Sequence, residues 1–286
     1  MAIVLQATIV KNFIPPRKSS SRKGDNGKVM VLGGSYLYHG APILSSLAAL
    51  RTGADLVYTC VPKINVTATR SYSPNLIVVP LVDAKLTRGA VRKLLGIIPK
   101  ELDSATIGMG LGIQDREALK ILVKDLLDRA VLLTLDASTL VPDILPEIKD
   151  KKVTVTPHAG EFKRLFGELP PDNVKQRTMM VQKYAKDNGV TILLKGPTDI
   201  VSNGYKTFLN PKNLASMTVG GTGDVLSGVV AAILCKNKNP LEAASAAVYV
   251  NGKAGAFAQK KNGLHIVATD ILDFIPLSMK PFDRIK

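Results

Sequence analysis

Tryptophan is absent and only 5% of the residues are aromatic, so platforms for stacking nucleic-acid bases are scarce. Cysteine occurs twice, at Cys60 and Cys235, without C-x-x-C or Cys/His spacing. That excludes a disulfide framework and a structural zinc site, and fits a reducing, cytoplasmic setting. No apolar run reaches the roughly 18 residues that would suggest a membrane helix. The start, Met1-Ala2-Ile3-Val4-Leu5-Gln6-Ala7, has no basic n-region and no cleavage pattern, so a soluble protein is expected. The chain also lacks a G-x-x-x-x-G-K-S/T loop, a serine nucleophile elbow and an H-E-x-x-H pair, which removes support from common NTPase, hydrolase and metalloprotease readings.

What is present is a chain of 286 residues, 46% hydrophobic and 21% charged, enough to bury a large core within one α/β domain over residues 1–286. The formal charge is +15. Such a surplus fits an anionic ligand or a solvated basic surface. Lys120, Lys124, Lys183 and Lys186 are dispersed along helices rather than massed, so neither nucleic acid nor a membrane is expected as a partner. The basic stretch Arg17-Lys18-Ser19-Ser20-Ser21-Arg22-Lys23 reads as the least ordered piece.

The first strand is read at Lys28, where Lys28-Val29-Met30-Val31-Leu32 enters the turn Gly33-Gly34 and residues 41–52 follow with helical spacing. Strands are expected at 56–61, 76–81, 105–108, 131–135, 153–156 and 190–194, with helices at 87–95, 114–127 and 174–188. Short, continuously apolar strands alternating with helices predict a three-layer α/β/α sandwich with a mostly parallel sheet. Asn203-Gly204, between strands at 199–202 and 205–209, predicts a hairpin and a short antiparallel edge. Helices at 222–234, 240–259 and 269–274 complete the chain, and the Ala-rich face at 243–250 could serve the core or a subunit contact.

Gly220-Gly221-Thr222-Gly223-Asp224 stands directly before an apolar helical run. Consecutive glycines let backbone amides converge, and the helix start adds free N–H groups and a positive dipole end, so Gly221, Thr222 and Gly223 form a candidate anion hole. Asp224 beside it could take a proton from a substrate hydroxyl as general base; the plainer alternative is a helix cap. Thr156-Pro157-His158-Ala159-Gly160-Glu161-Phe162 joins a strand to a helix. His158 could bond a phosphate or ribose and Glu161 could anchor the loop or hold a metal through water, or both could serve the helix start alone. Gly108-Met109-Gly110-Leu111-Gly112 lacks the final glycine of a dinucleotide fingerprint and would instead let the backbone pass close to a ligand or loop. Lys195-Gly196-Pro197-Thr198-Asp199 ends another strand, where its lysine and amides could meet nucleotide phosphates or simply form an exposed turn. All of these follow predicted strands, so a parallel sheet would gather them along one edge.

Together with Gly40-Ala41-Pro42 and Ala48-Ala49-Leu50-Arg51-Thr52-Gly53-Ala54, these motifs resemble the ATP/ADP-dependent NAD(P)H-hydrate dehydratases from about Gly24 to Ile275. The resemblance implies a ribokinase-like fold and ADP- or ATP-dependent dehydration of (6S)-NAD(P)H-hydrate, a repair of the nicotinamide cofactor. It further implies that Ala41, Gly110 and His158 contact the hydrated dinucleotide, that Lys195, Gly196, Pro197, Thr198, Asp199 and Gly223 contact the adenine nucleotide, and that Asp224 meets the reacting hydroxyl. Glu161 would support the His158 loop, and Mg2+ would sit on the nucleotide phosphates. A homo-oligomer and a separate NAD(P)H-hydrate epimerase are the implied protein partners, since no epimerase domain precedes the first strand.

The chain departs from the family pattern at Ser138 within Asp136-Ala137-Ser138-Thr139-Leu140, where a second Asp is usual. It departs again at Asn251 and Ala256, where His and Asp are usual, and over Ser216-Met217-Thr218-Val219. The rival readings are a ribokinase-like kinase for a hydroxymethylpyrimidine or thiazole alcohol and a catalytically silent nucleotide-binding protein. Asp224 argues against the second.

Overall fold

The computed structural model describes residues 2–211 and 214–286. Ten strands make one sheet: β1 (Ile3–Val4), β2 (Lys28–Leu32), β3 (Leu56–Pro62), β4 (Ile77–Leu81), β5 (Ser104–Ile107), β6 (Leu132–Leu135), β7 (Val153–Val155), β8 (Thr191–Leu194), β9 (Thr198–Ser202) and β10 (Thr207–Pro211). Their order in space is β1-β10-β9-β8-β7-β6-β5-β2-β3-β4. Only β9 is reversed among the described strands, antiparallel to both β8 and β10, while every other neighbouring pair is parallel.

The helices are α1 (Ala7–Phe13), α2 (Gly40–Thr52), α3 (Val66–Tyr72), α4 (Arg88–Ile97), α5 (Arg116–Asp128), α6 (Leu145–Ile148), α7 (Ala159–Phe166), α8 (Val174–Asn188), α9 (Thr222–Asn237), α10 (Pro240–Asn262) and α11 (Ala268–Met279). Residues of β2 alternate between two cores. Met30 and Leu32 join Leu94, Leu122 and Phe162 from α4, α5 and α7, whereas Val29 and Val31 join Ala49 and Ala231 from α2 and α9. Burial on both faces is why these strands read as unbroken apolar runs.

Small residues bring α2 and α9 together. A Cβ on Gly228 would lie 2.0 Å from the Ser45 carbonyl oxygen, and the hydroxyls of Ser45 and Ser227 are 3.3 Å apart. This crossing holds the N-terminus of α9 level with the C-terminal ends of the parallel strands. The Asn239 side chain accepts from the amides of Leu241 and Glu242 to start α10 around Pro240, and left-handed Gly189 ends α8.

Several expectations change. Structure begins well before Lys28, with β1 and α1, and β1 lies outside β10, so the Asn203-Gly204 hairpin stands one strand in from the sheet's edge. A two-residue strand is too short to leave an alternation in sequence. The basic stretch at 17–23 is tied down: Arg17 N–H donates to Arg284 O at 2.9 Å, Ser19 N–H to Lys286 O at 2.9 Å, and the Arg17 guanidinium to Gly53 O at 2.6 Å. Composition read it as loose because its partners lie at the far end of the chain. Ala243, Ala244, Ala246, Ala247 and Val250 are all core residues, which resolves the use of that face of α10.

Candidate active site

Every parallel strand from β2 to β8 that ends in a chemically notable turn ends on the same edge. Gly33 follows β2, Gly108 follows β5, Asp136 follows β6, Thr156 follows β7 and Lys195 follows β8. The N-terminus of α9 meets this row. Gly221 caps it with φ +93°, and a Cβ there would stand 2.8 Å from both Ala268 Cβ and Leu44 Cδ1, so glycine is required on two counts. The first helical bond runs from Val225 N–H to Gly221 O at 3.0 Å. The amides of Thr222, Gly223 and Asp224 precede it and remain free for an anion, reinforced by the helix dipole. The Thr222 hydroxyl is spent on Met217 O at 3.1 Å, so Thr222 offers its backbone rather than its side chain.

Lys195 leans over this helix end. Its Nζ is 2.9 Å from Asp136 Oδ1 and 3.6 Å from Glu161 Oε2, and only 3.4 Å from where a Cβ on Gly223 would be. Burial works to lower its pKa; Asp136 and Glu161, with a smaller contribution from Asp224, more than offset that, and the net shift is upward. Lys195 is therefore a fixed positive charge. Asp136 is 2% exposed and also accepts from Ala137 N–H at 2.9 Å. Its part in the site was missed at the level of sequence, because the lysine it holds lies 59 residues further on.

Asp224 has the opposite balance. Burial raises its pKa, Asp136 and Glu161 raise it further and Lys195 opposes them, leaving the carboxyl at about 7. Among the described residues no side-chain hydrogen bond is made to this carboxylate. A free carboxylate that half-titrates near neutrality, beside an anion hole, has the properties of a general base.

His158 and Glu161 form a capping box at the start of α7. His158 Nδ1 accepts from Gly160 N–H at 3.0 Å and Glu161 N–H at 3.3 Å, while Glu161 Oε2 accepts from His158 N–H at 2.9 Å. Thus Glu161 does anchor the loop, and the imidazole remains exposed beside Lys195.

On the other side of the row, Gly108 has φ +124° and a Cβ there would overlap Asp136 O at 1.9 Å. Gly110 has φ +62°; its hypothetical Cβ would be 2.6 Å from Tyr38 Cβ and 3.2 Å from Ala41 Cβ. The fold thus joins Ala41 and Gly110, and the loop carrying exposed Tyr36, Leu37 and Tyr38 flanks them. Ser138 donates through Oγ to Gly108 O at 2.8 Å. An Asp at 138 could not donate that bond as a carboxylate, so Ser138 gives this chain a tie to the glycine turn. Ala137, with φ +49°, adopts the left-handed backbone in this turn.

A cavity of about 550 Å3 opens beside the N-terminus of α9, lined by His158, Lys195, Gly196 and Gly223 together with Leu214, Met217 and Leu226. Its size and mixed lining suit a nucleotide. Pro197 lines it too, whereas Thr198 and Asp199 begin β9 behind the wall. Asp199 is fully buried and its carboxylate accepts from Gly196 N–H at 3.2 Å and Asn210 Nδ2 at 3.3 Å, so its expected nucleotide contact becomes a hold on the turn from within. Asn251 also lines the cavity, 1% exposed, with Oδ1 lacking a hydrogen-bond partner among the described residues. No cluster of three or more His, Cys, Asp or Glu side chains suited to a metal occurs among the described residues. Asp224 in the first turn of α9 and Glu161, within 3.6 Å of Lys195, are oxygen donors of the kind Mg2+ takes while keeping most of its water shell.

A mostly parallel sheet, a glycine-capped helix start as anion hole, a carboxylate poised near neutrality and a lysine over a nucleotide-sized cavity define a ribokinase-like phosphoryl-transfer enzyme. The profile of the family described as NAD(P)H-hydrate dehydratase matches residues 29–277, and the chain belongs to this family. It is 64% identical over 281 residues to the ADP-dependent (S)-NAD(P)H-hydrate dehydratase of Nitrosopumilus maritimus, covering 98% of each chain. It is 40% identical to the bifunctional NAD(P)H-hydrate repair enzyme Nnr of Pyrobaculum aerophilum over 91% of this chain but only 52% of that protein. Among solved structures, the ADP/ATP-dependent NAD(P)H-hydrate dehydratase of Bacillus subtilis, co-crystallised with ATP/Mg2+, superposes with TM-score 0.85 at 26% identity, covering 99% of each chain. No described helix is long and apolar enough to cross a membrane.

Proposed function

We propose that the chain dehydrates (6S)-NAD(P)H-hydrate to NAD(P)H at the expense of ADP, with ATP as the alternative phosphoryl donor. The observation that carries this reading is Asp224, a carboxylate at about 7 beside the free amides of α9 and the fixed charge of Lys195. Hydroxide is a poor leaving group and phosphate a good one. Asp224 takes the proton of the C6 hydroxyl, and the oxygen attacks the terminal phosphorus of the nucleotide, so that AMP leaves from ADP, or ADP from ATP. The amides of Gly221 to Asp224 and the Lys195 ammonium hold the negative charge that develops on the transferred group. The ring nitrogen then pushes out the phosphate as the C6–O bond breaks and C5 loses its proton, restoring the dihydronicotinamide.

Ala41, Gly110 and His158 bind the hydrated dinucleotide in this scheme, which the contact between Ala41 and Gly110 and the exposure of His158 support. Lys195, Gly196, Pro197 and Gly223 bind the adenine nucleotide, with Thr198 and Asp199 shaping the turn. Mg2+ is held on the nucleotide phosphates with water-mediated help from Glu161; it neutralises phosphate charge when bound. The enzyme acts as one domain over residues 1–286 in the cytoplasm, as a homo-oligomer. A separate epimerase supplies the S form. Incubation with hydrated NADH or NADPH, magnesium and either ADP or ATP tests the assignment: absorbance of the restored dihydronicotinamide rises only when a nucleotide is present. Recovery without nucleotide, or none at all, would sink the assignment, and accumulation of a phosphorylated alcohol instead would return the chain to the kinases.

A further inference from the structure

A second cavity, of about 400 Å3, lies where the N-terminal and C-terminal segments meet the far ends of α2 and α9. Four cations line it: Arg17, Arg51, Lys236 and Arg284, against one carboxylate, Asp283. Its floor is apolar, formed by Ile14, Ile233, Met279 and Phe282. Helix α9 has 16 residues, about 24 Å at 1.5 Å per residue, so this cavity stands at the opposite end of the helix from the anion hole.

The ordinary reading is that Arg51 and Lys236, each in the last turn of its helix, offset the negative ends of α2 and α9. That reading accounts for only part of the charge. Four positive groups less Asp283 leave three, and two helix ends at about half a charge each leave about two. None of the four cations forms an ion pair among the described residues. The Arg17 and Arg284 guanidinium groups reach only backbone carbonyls, Gly53 O for the first and Lys11 O and Ile14 O for the second. Arg284 Nε is buried without an acceptor among the described residues. Lys236 Nζ donates to Asn26 Oδ1 at 3.3 Å, a neutral acceptor, and its pKa is lowered by burial and by the neighbouring Arg17, only partly opposed by Asp55.

We propose that this cavity is a second anion site, distinct from the reaction centre, whose ligand is a nucleoside polyphosphate with its phosphates on the four cations and its base on the apolar floor. The volume matches one such molecule. The lining supplies recognition of both halves, and the cationic surface extends outward through Lys18, Arg22 and Lys23, which line an adjoining cavity sharing Arg17 and Ile285.

Equilibrium dialysis with ADP as probe tests this independently of the reaction assigned to the first site. Two equivalents should bind per chain, and the second should weaken with rising salt. In Arg51→Gln/Lys236→Gln the second equivalent should weaken at least tenfold while turnover with saturating hydrate stays unchanged, which also shows that the variant folds. Should the pair disturb folding, Arg51→Gln alone carries the same expectation. Inorganic tripolyphosphate should displace the second equivalent in Lys195→Ala, where the first site is crippled. A single equivalent in the wild type, or two of unaltered affinity in the Gln variants, overturns the proposal.

Discussion

The two ends of α9 handle charge in contrary ways. At its N-terminus three carboxylates, Asp136, Glu161 and Asp224, surround one lysine, inside a chain whose formal charge is +15. At its C-terminus four cations, none in an ion pair among the described residues, line a cavity with one carboxylate. The local excess of acid, not the overall charge of the molecule, sets what Asp224 does. Crowding by like charges in a buried place keeps its proton until pH is near neutral, whereas Lys195 prevents the shift from going so far that the carboxyl could no longer serve as a base.

The sharpest break is Asp224→Asn, expected to lower kcat by about 100-fold to 10,000-fold while leaving ADP affinity within a few-fold, as direct nucleotide titration would show. The same variant should melt a few degrees higher at pH 8. In the folded protein Asp224 holds its proton to about 7, against 3.8 without the fold, so its ionisation costs stability that grows as pH rises from about 4 to 7. Asn removes that cost. Next comes Gly108→Ala, which puts a Cβ against Asp136 O and a side chain at φ +124°; a loss of about 3 kcal/mol or more in denaturant melts is expected, with catalysis impaired.

Charge exchanges sharpen the contrast further. In the wild type, kcat/KM should rise with pH through about 7 as Asp224 ionises. Lys195→Ala removes the one group that lowers the Asp224 pKa, so this limb should move to higher pH, with the KM for ADP raised. Asp136→Asn removes a group that raises it, so the limb should move the other way. Shifts in the same direction would discard the electrostatic account. The mildest expected effect is Asn251→Leu, which should weaken ADP by roughly tenfold, about 1.4 kcal/mol, through loss of a buried amide in the cavity wall.

Those same residues mark how far the sequence could be read. Asp224, Lys195 and His158 stood out because each follows a buried strand or a glycine turn, and a parallel sheet brings such ends together. Runs such as Val29 to Leu32 were legible because both faces of their strands are covered. Asp136 carried the same position without its partner, since only folding brings Lys195 to it. Asn251 sits mid-helix, marked in the sequence only as a departure from the family pattern; its place in the cavity wall became visible once α10 backed the cavity. The Ile3–Val4 strand and the anchoring of 17–23 depend on residues more than 200 positions away, Phe208 and Arg284 among them, and no local pattern encodes such pairings.

The cap of α7 imposes a choice of side chain that neither task alone would make. Two amides donate to His158 Nδ1, so the ring proton resides on Nε2, which lies 3.5 Å from Glu161 Oε1 and is open to solvent. Serine or threonine could cap the helix but would spend their short reach on it, and aspartate would set another negative charge beside Glu161. Imidazole ends the helix with one nitrogen and keeps the other as a donor. Improving position 158 as a cap would therefore remove the exposed ring nitrogen beside the cavity.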